Sequence, residues 1–141
     1  MSNVLKISEA ASIAMHGMVL LAAEPGRMVS AHEIAEMLGV SEDYLQKIFQ
    51  RLTRAGLATA VRGPHGGYTL SRPGGIITLG EVYAAVDGAL ADTKCLLGEP
   101  VCKGDSCILG GLLETVNREV RDYLDRTVLT DLVSVYHGAK K

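Results

Sequence analysis

A chain of 141 residues, 48% hydrophobic with one Phe and no Trp, suits one domain with its own core, or a small domain with an appended helix. Its three cysteines, an odd count, argue against a secreted disulfide scaffold, and the apolar run over 13–23 is too short to span a bilayer and lacks the flanks of a signal peptide, so a cytoplasmic protein with no membrane partner is expected. The net charge of −2 gives no hint of nucleic acid by itself, but residues 41–72 hold Lys47, Arg51, Arg54, Arg62 and Arg72 against Glu42 and Asp43, a local +3 that leaves −5 for the rest. That distribution suits one anion-facing surface on an acidic body, although a solvated helix face gives the same count.

Ser8 is placed to cap a first helix running to about residue 23, ended by Pro25 and Gly26. Ile13, Met15, Met18, Val19, Leu20 and Leu21 give it a wide apolar face. Ser30 and Glu33 form a capping box for a second helix, with Ile34, Met37 and Leu38 expected inward and Gly39 closing it. Ser41 caps a third over 42–55, ended by Gly56. Two short helices joined by a tight Gly-containing turn have helix-turn-helix spacing, a shape shared with hairpins that never touch DNA. In the third helix Leu45, Ile48, Phe49 and Leu52 fall at i, i+3, i+4, i+7 and make a core stripe. Opposite lie Asp43, Gln46, Lys47, Gln50, Arg51 and Arg54. Amides and forked guanidinium groups suit base edges, and cations suit phosphates; Ser41 and Tyr44, at the helix start, are candidate phosphate donors.

Residues 57–62 and 68–71 are short strand-type segments around Gly63, Pro64, His65, Gly66 and Gly67, which supply a tight reversal. Such a hairpin alone is as well a connector as a binding wing; the helix-turn-helix upstream decides for the wing. Arg62 then reaches a neighbouring minor groove, with His65 and Gly66 at the tip. The fold class expected is mainly α with a small β wing: a winged helix-turn-helix DNA-binding domain over 1–75, then a cysteine loop and long C-terminal dimerisation helix over 76–141.

Within that second part, Thr78 and Glu81 form another capping box, opening a helix with Val82, Ala85 and Val86 inward and stopping near Gly88. Residues 89–107 show no periodicity and hold every cysteine; a loop this long is usually functional or disordered. From about 106 to 127 the pattern is helical again. Leu109, Leu113, Val116, Val120 and Tyr123 are spaced 4, 3, 4, 3, a seam widened by Leu112 and Leu124. A helix of that length, about 30 Å, exceeds what so small a domain can cover, so it is read as the helix of a homodimer rather than an intrachain core helix. Thr130 is expected to cap a last helix over 131–136, with 137–141 fraying.

Cys95, Cys102 and Cys107 are separated by six and four residues. Structural zinc usually takes closer pairs and four ligands, whereas an iron–sulfur cluster tolerates wider spacing on a loop. Backbone N–H groups around Gly98 and Gly104 are placed to hydrogen-bond cluster sulfurs. Three free thiols are the plainer alternative, against which the polar run over 102–107 shows that these are not core filling. No nucleophile–base pair, phosphate-cradling loop or carboxylate dyad points to an enzyme.

The run over 61–70, V-R-G-P-H-G-G-Y-T-L, preceded by Y-L-Q-K-I-F-Q-R-L over 44–52 and by Gly56 and Leu57, resembles the IscR/NsrR family of bacterial winged-helix regulators (the Rrf-two family) from about Ile7 to Val133. The resemblance implies a homodimer on a two-fold-related duplex operator, with Asp43, Gln46 and Lys47 in the major groove and Arg62 in the minor groove; His65 stands at the variable position of the wing. It also implies an iron–sulfur cluster on Cys95, Cys102 and Cys107 that senses redox state, nitric oxide or iron–sulfur status; whether it has two or four irons stays open, four being favoured because three thiolates already serve three corners. Some members carry a His three residues after the last Cys, where this chain has Gly110. Others use an acidic residue, or an acid and a His, from the partner's first helix; here Ser12 stands at the acidic position and His16 at the histidine position, with Glu9 on the same face, so Glu9 or Ser12 is the substitute for the missing acid. The alternatives are a cluster-free thiol-based redox regulator and a scaffold whose winged helix packs on protein.

Overall fold

The structure, a computed structural model, describes residues 7–90, 95–97, 101–102 and 107–136. Among these the chain runs α1 (Glu9–Ala23), α2 (Ala31–Leu38), α3 (Glu42–Arg54), β1 (Ala58–Val61), β2 (Gly67–Leu70), a 3-10 turn (Gly74–Ile76), α4 (Leu79–Asp87), α5 (Leu112–Arg126) and a 3-10 helix (Leu129–Tyr136). It is mostly helical with one small antiparallel sheet, a winged helix as the sequence leads one to expect.

The caps read from sequence are made. Ser8, Ser30, Ser41 and Thr78 each accept a backbone N–H in the first turn of their helices, and the boxes at Ser30/Glu33 and Thr78/Glu81 are reciprocal. α1 is apolar on nearly every side and occupies the middle of the molecule. It packs against α2, α3, α4, β2 and the C-terminal 3-10 helix, so no single polar face is left on it. One continuous core joins Met18, Ile34, Leu45, Phe49 and Leu52 to Ile77, Val82, Leu124 and Leu129. Gly17 lets α1 and α3 approach: a Cβ there would lie 2.9 Å from the ring of Phe49, itself fully buried.

Four details depart from the sequence reading. Met37 is 48% exposed, because the short α2 turns Ile34 and Ala35 inward and leaves its last turn at the surface. The last long helix starts at Leu112, not near 106: Gly110 adopts φ 59° and Gly111 caps the helix, leaving Leu109 in the preceding turn. The C-terminal segment is a 3-10 helix from Leu129, and its start is held by Asp131, whose carboxylate accepts the Val128 N–H at 3.1 Å, so Thr130 does not act as the cap. The first strand is shorter than expected, four residues instead of six, and the second keeps its length but starts one residue earlier, at Gly67. The fraying expected for 137–141 and the backbone donors at Gly98 and Gly104 lie outside the described residues.

Two single-residue bridges, invisible to periodicity, tie distant segments together. Val29 exchanges both backbone hydrogen bonds with Tyr68, extending the wing by one strand position. Thr78 bridges Val128, with Leu79 N–H donating to the Thr127 carbonyl and Leu129 N–H to that of Ile77. These bonds return the chain after α5 to the start of α4.

α5 is anchored at one end. Leu124 is its one buried residue, while Leu113, Val116 and Val120 are half-buried and Leu112 and Tyr123 are exposed. The seam read from sequence therefore forms a stripe that its own chain only partly covers.

Gly17→Val is expected to destabilise the fold by about 1–3 kcal/mol, the usual scale of overpacking, read as a lower midpoint in denaturant. Arg72 Nη2 donates to Glu81 at 2.7 Å, and this bond, helped by the Thr78 N–H, holds the Glu81 carboxyl below its ordinary value of 4.5. A lowered folded-state pKa adds stability above that ordinary value, and the gain is lost as pH falls through the folded-state value. Melting curves from pH 6 to pH 3 should therefore drop further for wild type than for Glu81→Gln.

Candidate nucleic-acid interface and cysteine site

The turn between α2 and α3 is three residues long. Gly39 takes the left-handed conformation (φ 70°), Val40 follows, and the Ser41 hydroxyl accepts the Tyr44 N–H at 3.1 Å. His32 Nδ1 and Glu42 Oε1, 3.3 Å apart, tie the two helices across it. α3 then presents its polar side to solvent because Leu45, Ile48, Phe49 and Leu52 are all drawn into the core.

The wing follows at once. β1 and β2 pair from Ala58↔Leu70 to Val61↔Gly67, and residues 62–66 form the tip. Glycine is required in this loop by contact as well as by torsion. Gly63 has φ 111°, a Cβ on Gly66 would run into the Val61 carbonyl, and one on Gly67 would come within 2.6 Å of the Val29 oxygen. Tyr68 sets the wing against α3, its ring 4.7 Å from that of Phe49, and burial pushes its phenol pKa up.

Gln46, Gln50 and Arg62 line one cleft between α3 and the wing. They and Lys47 make no hydrogen bond or ion pair among the described residues, so their polar heads are free for a ligand. Asp43 is exposed in the first turn of α3. Three other residues grouped with these by sequence are placed differently. Arg51, an exposed residue, has one guanidinium nitrogen engaged: Nη1 donates to the Val86 carbonyl at 3.0 Å, because the end of α4 packs beside α3. The Tyr44 hydroxyl is directed to Glu9 Oε1, 3.5 Å away at the start of α1. His65 lines a separate groove with Met28, Arg72 and Pro73, away from the cleft that holds Arg62. With Arg72 paired to Glu81 and Arg51 bonded to Val86, Lys47, Arg54 and Arg62 are the cations of the basic segment with no bond of their own among the described residues.

All three cysteines are free; Cys95 and Cys107 are half-buried and Cys102 is exposed. Cys95 Sγ accepts the Leu97 N–H at 3.4 Å, and Cys107 Sγ accepts the Leu109 N–H at 3.5 Å. N–H groups aimed at sulfur are the usual support of a metal-bound thiolate. On α1, the exposed His16 lies with Nδ1 2.7 Å from the Ser12 carbonyl. A carbonyl can only accept, so Nδ1 carries the proton and, in the neutral ring, Nε2 keeps the lone pair. Glu9 is occupied by Tyr44, and the Ser12 hydroxyl sits 3.5 Å from the same imidazole. Among the described residues, no three His, Cys, Asp or Glu side chains are gathered around a common metal position; one chain does not by itself bring His16 and the thiols together.

Sequence reasoning missed Val29 and His32. A one-residue bridge has no period, and a lone His before a capped helix carries no signal until the turn is folded.

A helix-turn-helix with a paired wing, an amide-bearing helix face and an arginine at the wing tip together define a winged-helix transcriptional regulator. A family model for Rrf2, described as an iron-dependent transcriptional regulator, matches residues 7–135. The chain belongs to the Rrf2 family. It is 38% identical over 117 residues to the HTH-type transcriptional regulator IscR of Klebsiella pneumoniae, covering 82% of this chain and 71% of that protein. Among solved structures it is similar to CymR (YrzC), the global cysteine regulator of B. subtilis (TM-score 0.78, 30% identity, 92% and 97% of the two chains). It is also similar to T. potens IscR (TM-score 0.71, 29% identity, 96% and 91%). No helix among the described residues is long and apolar enough to cross a membrane.

Arg62→Ala should weaken duplex binding by about 1–3 kcal/mol, the scale of one lost groove contact. Its melting temperature should match wild type, since Arg62 supports nothing in the fold; fluorescence anisotropy and a thermal melt check the two halves.

Proposed function

We propose that this regulator is a cytoplasmic homodimer that reads duplex operator DNA and adjusts its affinity through an iron–sulfur cluster held on Cys95, Cys102 and Cys107. The observation that carries the reading is the donor set: two thiols already accept backbone N–H groups, a third is exposed, and His16 presents a free Nε2. The three thiolates would hold a four-iron cluster together with His16 from the partner subunit. When bound, such a cluster supplies a redox- and nitric oxide-sensitive tie between the cysteine segment and α1 of the partner.

The chain's own residues do the rest. The half-covered stripe of α5, from Leu113 to Tyr123, pairs with its copy and sets the distance between the two α3 helices. That distance must match about 34 Å, or a multiple, for both helices to dock. Gln46, Gln50 and Asp43 meet base edges, Lys47 with Ser41 meets phosphate, and Arg62 enters the minor groove with His65 and Gly66 at the wing tip.

A second reading, a cluster-free thiol switch, is favoured by the absence, among the described residues, of three ligands around a common metal position and by a structural likeness to CymR as strong as that to T. potens IscR. In it, Cys95, Cys102 or Cys107 is the redox-sensitive thiolate.

Iron and acid-labile sulfide per chain, with a visible spectrum, measured on protein prepared without oxygen, separate the two. Bound iron and sulfide, lost in Cys102→Ala with the melting temperature retained, are expected. His16→Ala should leave the cluster assembled but shorter-lived in air. Colourless, iron-free protein whose operator affinity responds to peroxide would replace the cluster reading with the thiol one.

A further inference from the structure

The last turn of α4, from which the cysteine segment departs, is held from two sides. From α3, Arg51 Nη1 donates to the Val86 carbonyl at 3.0 Å. From α1, Ser8 donates its hydroxyl to Asp87 Oδ1 at 2.7 Å and its N–H to Oδ2 at 3.3 Å. A carbonyl in the last turn of a helix has no partner inside that helix and sits at the negative end of its dipole, so a guanidinium is favoured there on both counts. Tyr44 closes the ring by reaching Glu9 from α3 to α1. Gly88 then leaves α4 with φ 83° and ψ −177°, and Cys95 follows seven residues on. The helix that faces the cleft with Arg62 and the root of the thiol-bearing segment are thus joined by a charged side-chain bond beside the packing of α3 on α4.

We propose that Arg51 is a positioning residue, which couples the state of the cysteine segment to the placement of α3 through the Val86 carbonyl and makes no contact with DNA. The proposal rests on the reading of this chain as a regulated DNA binder. Its physical basis is that a shift at the end of α4 reaches α3 through a charged, directional bond. An arginine on the outer face of α3 would instead add one phosphate contact and no coupling.

The test uses the full chain and the duplex that wild-type protein selects from a random library. Operator affinity is measured in two states, as prepared without oxygen and after chelation and alkylation of the thiols with N-ethylmaleimide, each across a salt series. Arg51→Met keeps the aliphatic stem but loses the donor. It should bring the ratio of the two affinities at least fivefold closer to one, with an unchanged salt slope and an unchanged iron and thiol content. Arg51→Lys, which restores a donor, should recover most of the ratio. Arg51→Gln, of similar helix propensity but too short to reach Val86, is the second loss variant should the Met form melt early.

A phosphate contact predicts something else: the salt slope falls by about one and both states weaken together, and that result overturns the proposal. So does a full wild-type ratio in both loss variants. A wild-type ratio of one removes the regulated-reader reading itself, and the coupling with it.

Discussion

Phe49 is where the reader, its support and its wing meet. The ring is wholly buried in α3, lies against Gly17 of α1, and has Tyr68 of the wing at 4.7 Å with a 42° tilt. Helix depth, wing position and the central helix are set by contacts with this one side chain, and close packing lets none of them shift alone. The bridge from Val29 to Tyr68 closes the same loop of contacts through the backbone. The polar face of α3 is therefore carried on a rigid wedge, and Gln46, Gln50 and Arg62 share a cleft as a result.

Charge counted along the chain overstates what this surface offers. Five basic residues fall between 41 and 72, yet two already have partners within the chain: Arg72 supports the capping box of α4 through Glu81, and Arg51 meets the carbonyl end of the same helix. Both ends of α4 are thereby fastened by arginines from the reading half of the chain. Guanidinium groups suit such work because they offer several donors in a fixed plane.

Much of this was legible in the sequence because it rests on local rules. Four helix starts were marked by Ser or Thr, two of them with a Glu three residues on, and all four caps are made. The wing could be read from its glycines, and the structure adds why Gly66 and Gly67 tolerate no side chain. What escaped was set by tertiary neighbours. The helical period around α3 puts Arg51 on the polar face, and only the approach of α4 redirects its tip. Val29 pairs across 39 residues with no alternation to betray it. The seam of α5 was visible, but its start was misplaced, since a glycine pair at 110 and 111 interrupts a pattern that the spacing alone continues. At the cysteines, residue types and spacing are legible, and among the described residues one chain does not gather three ligands around a common metal position.

The single-ended anchorage of α5 has a mechanical consequence. With Leu124 buried and the bridge at Val128 just behind it, the helix is clamped near its C-terminus, and Leu112 lies twelve residues away. That arm is about 18 Å long at 1.5 Å per residue. A pivot of roughly 10° at the clamp would carry the far end about 3 Å, more than half a helical rise per turn. The far end of that arm is also the end joined to Cys107, so a displacement at the sulfur would fall on the part of α5 that its own chain covers least.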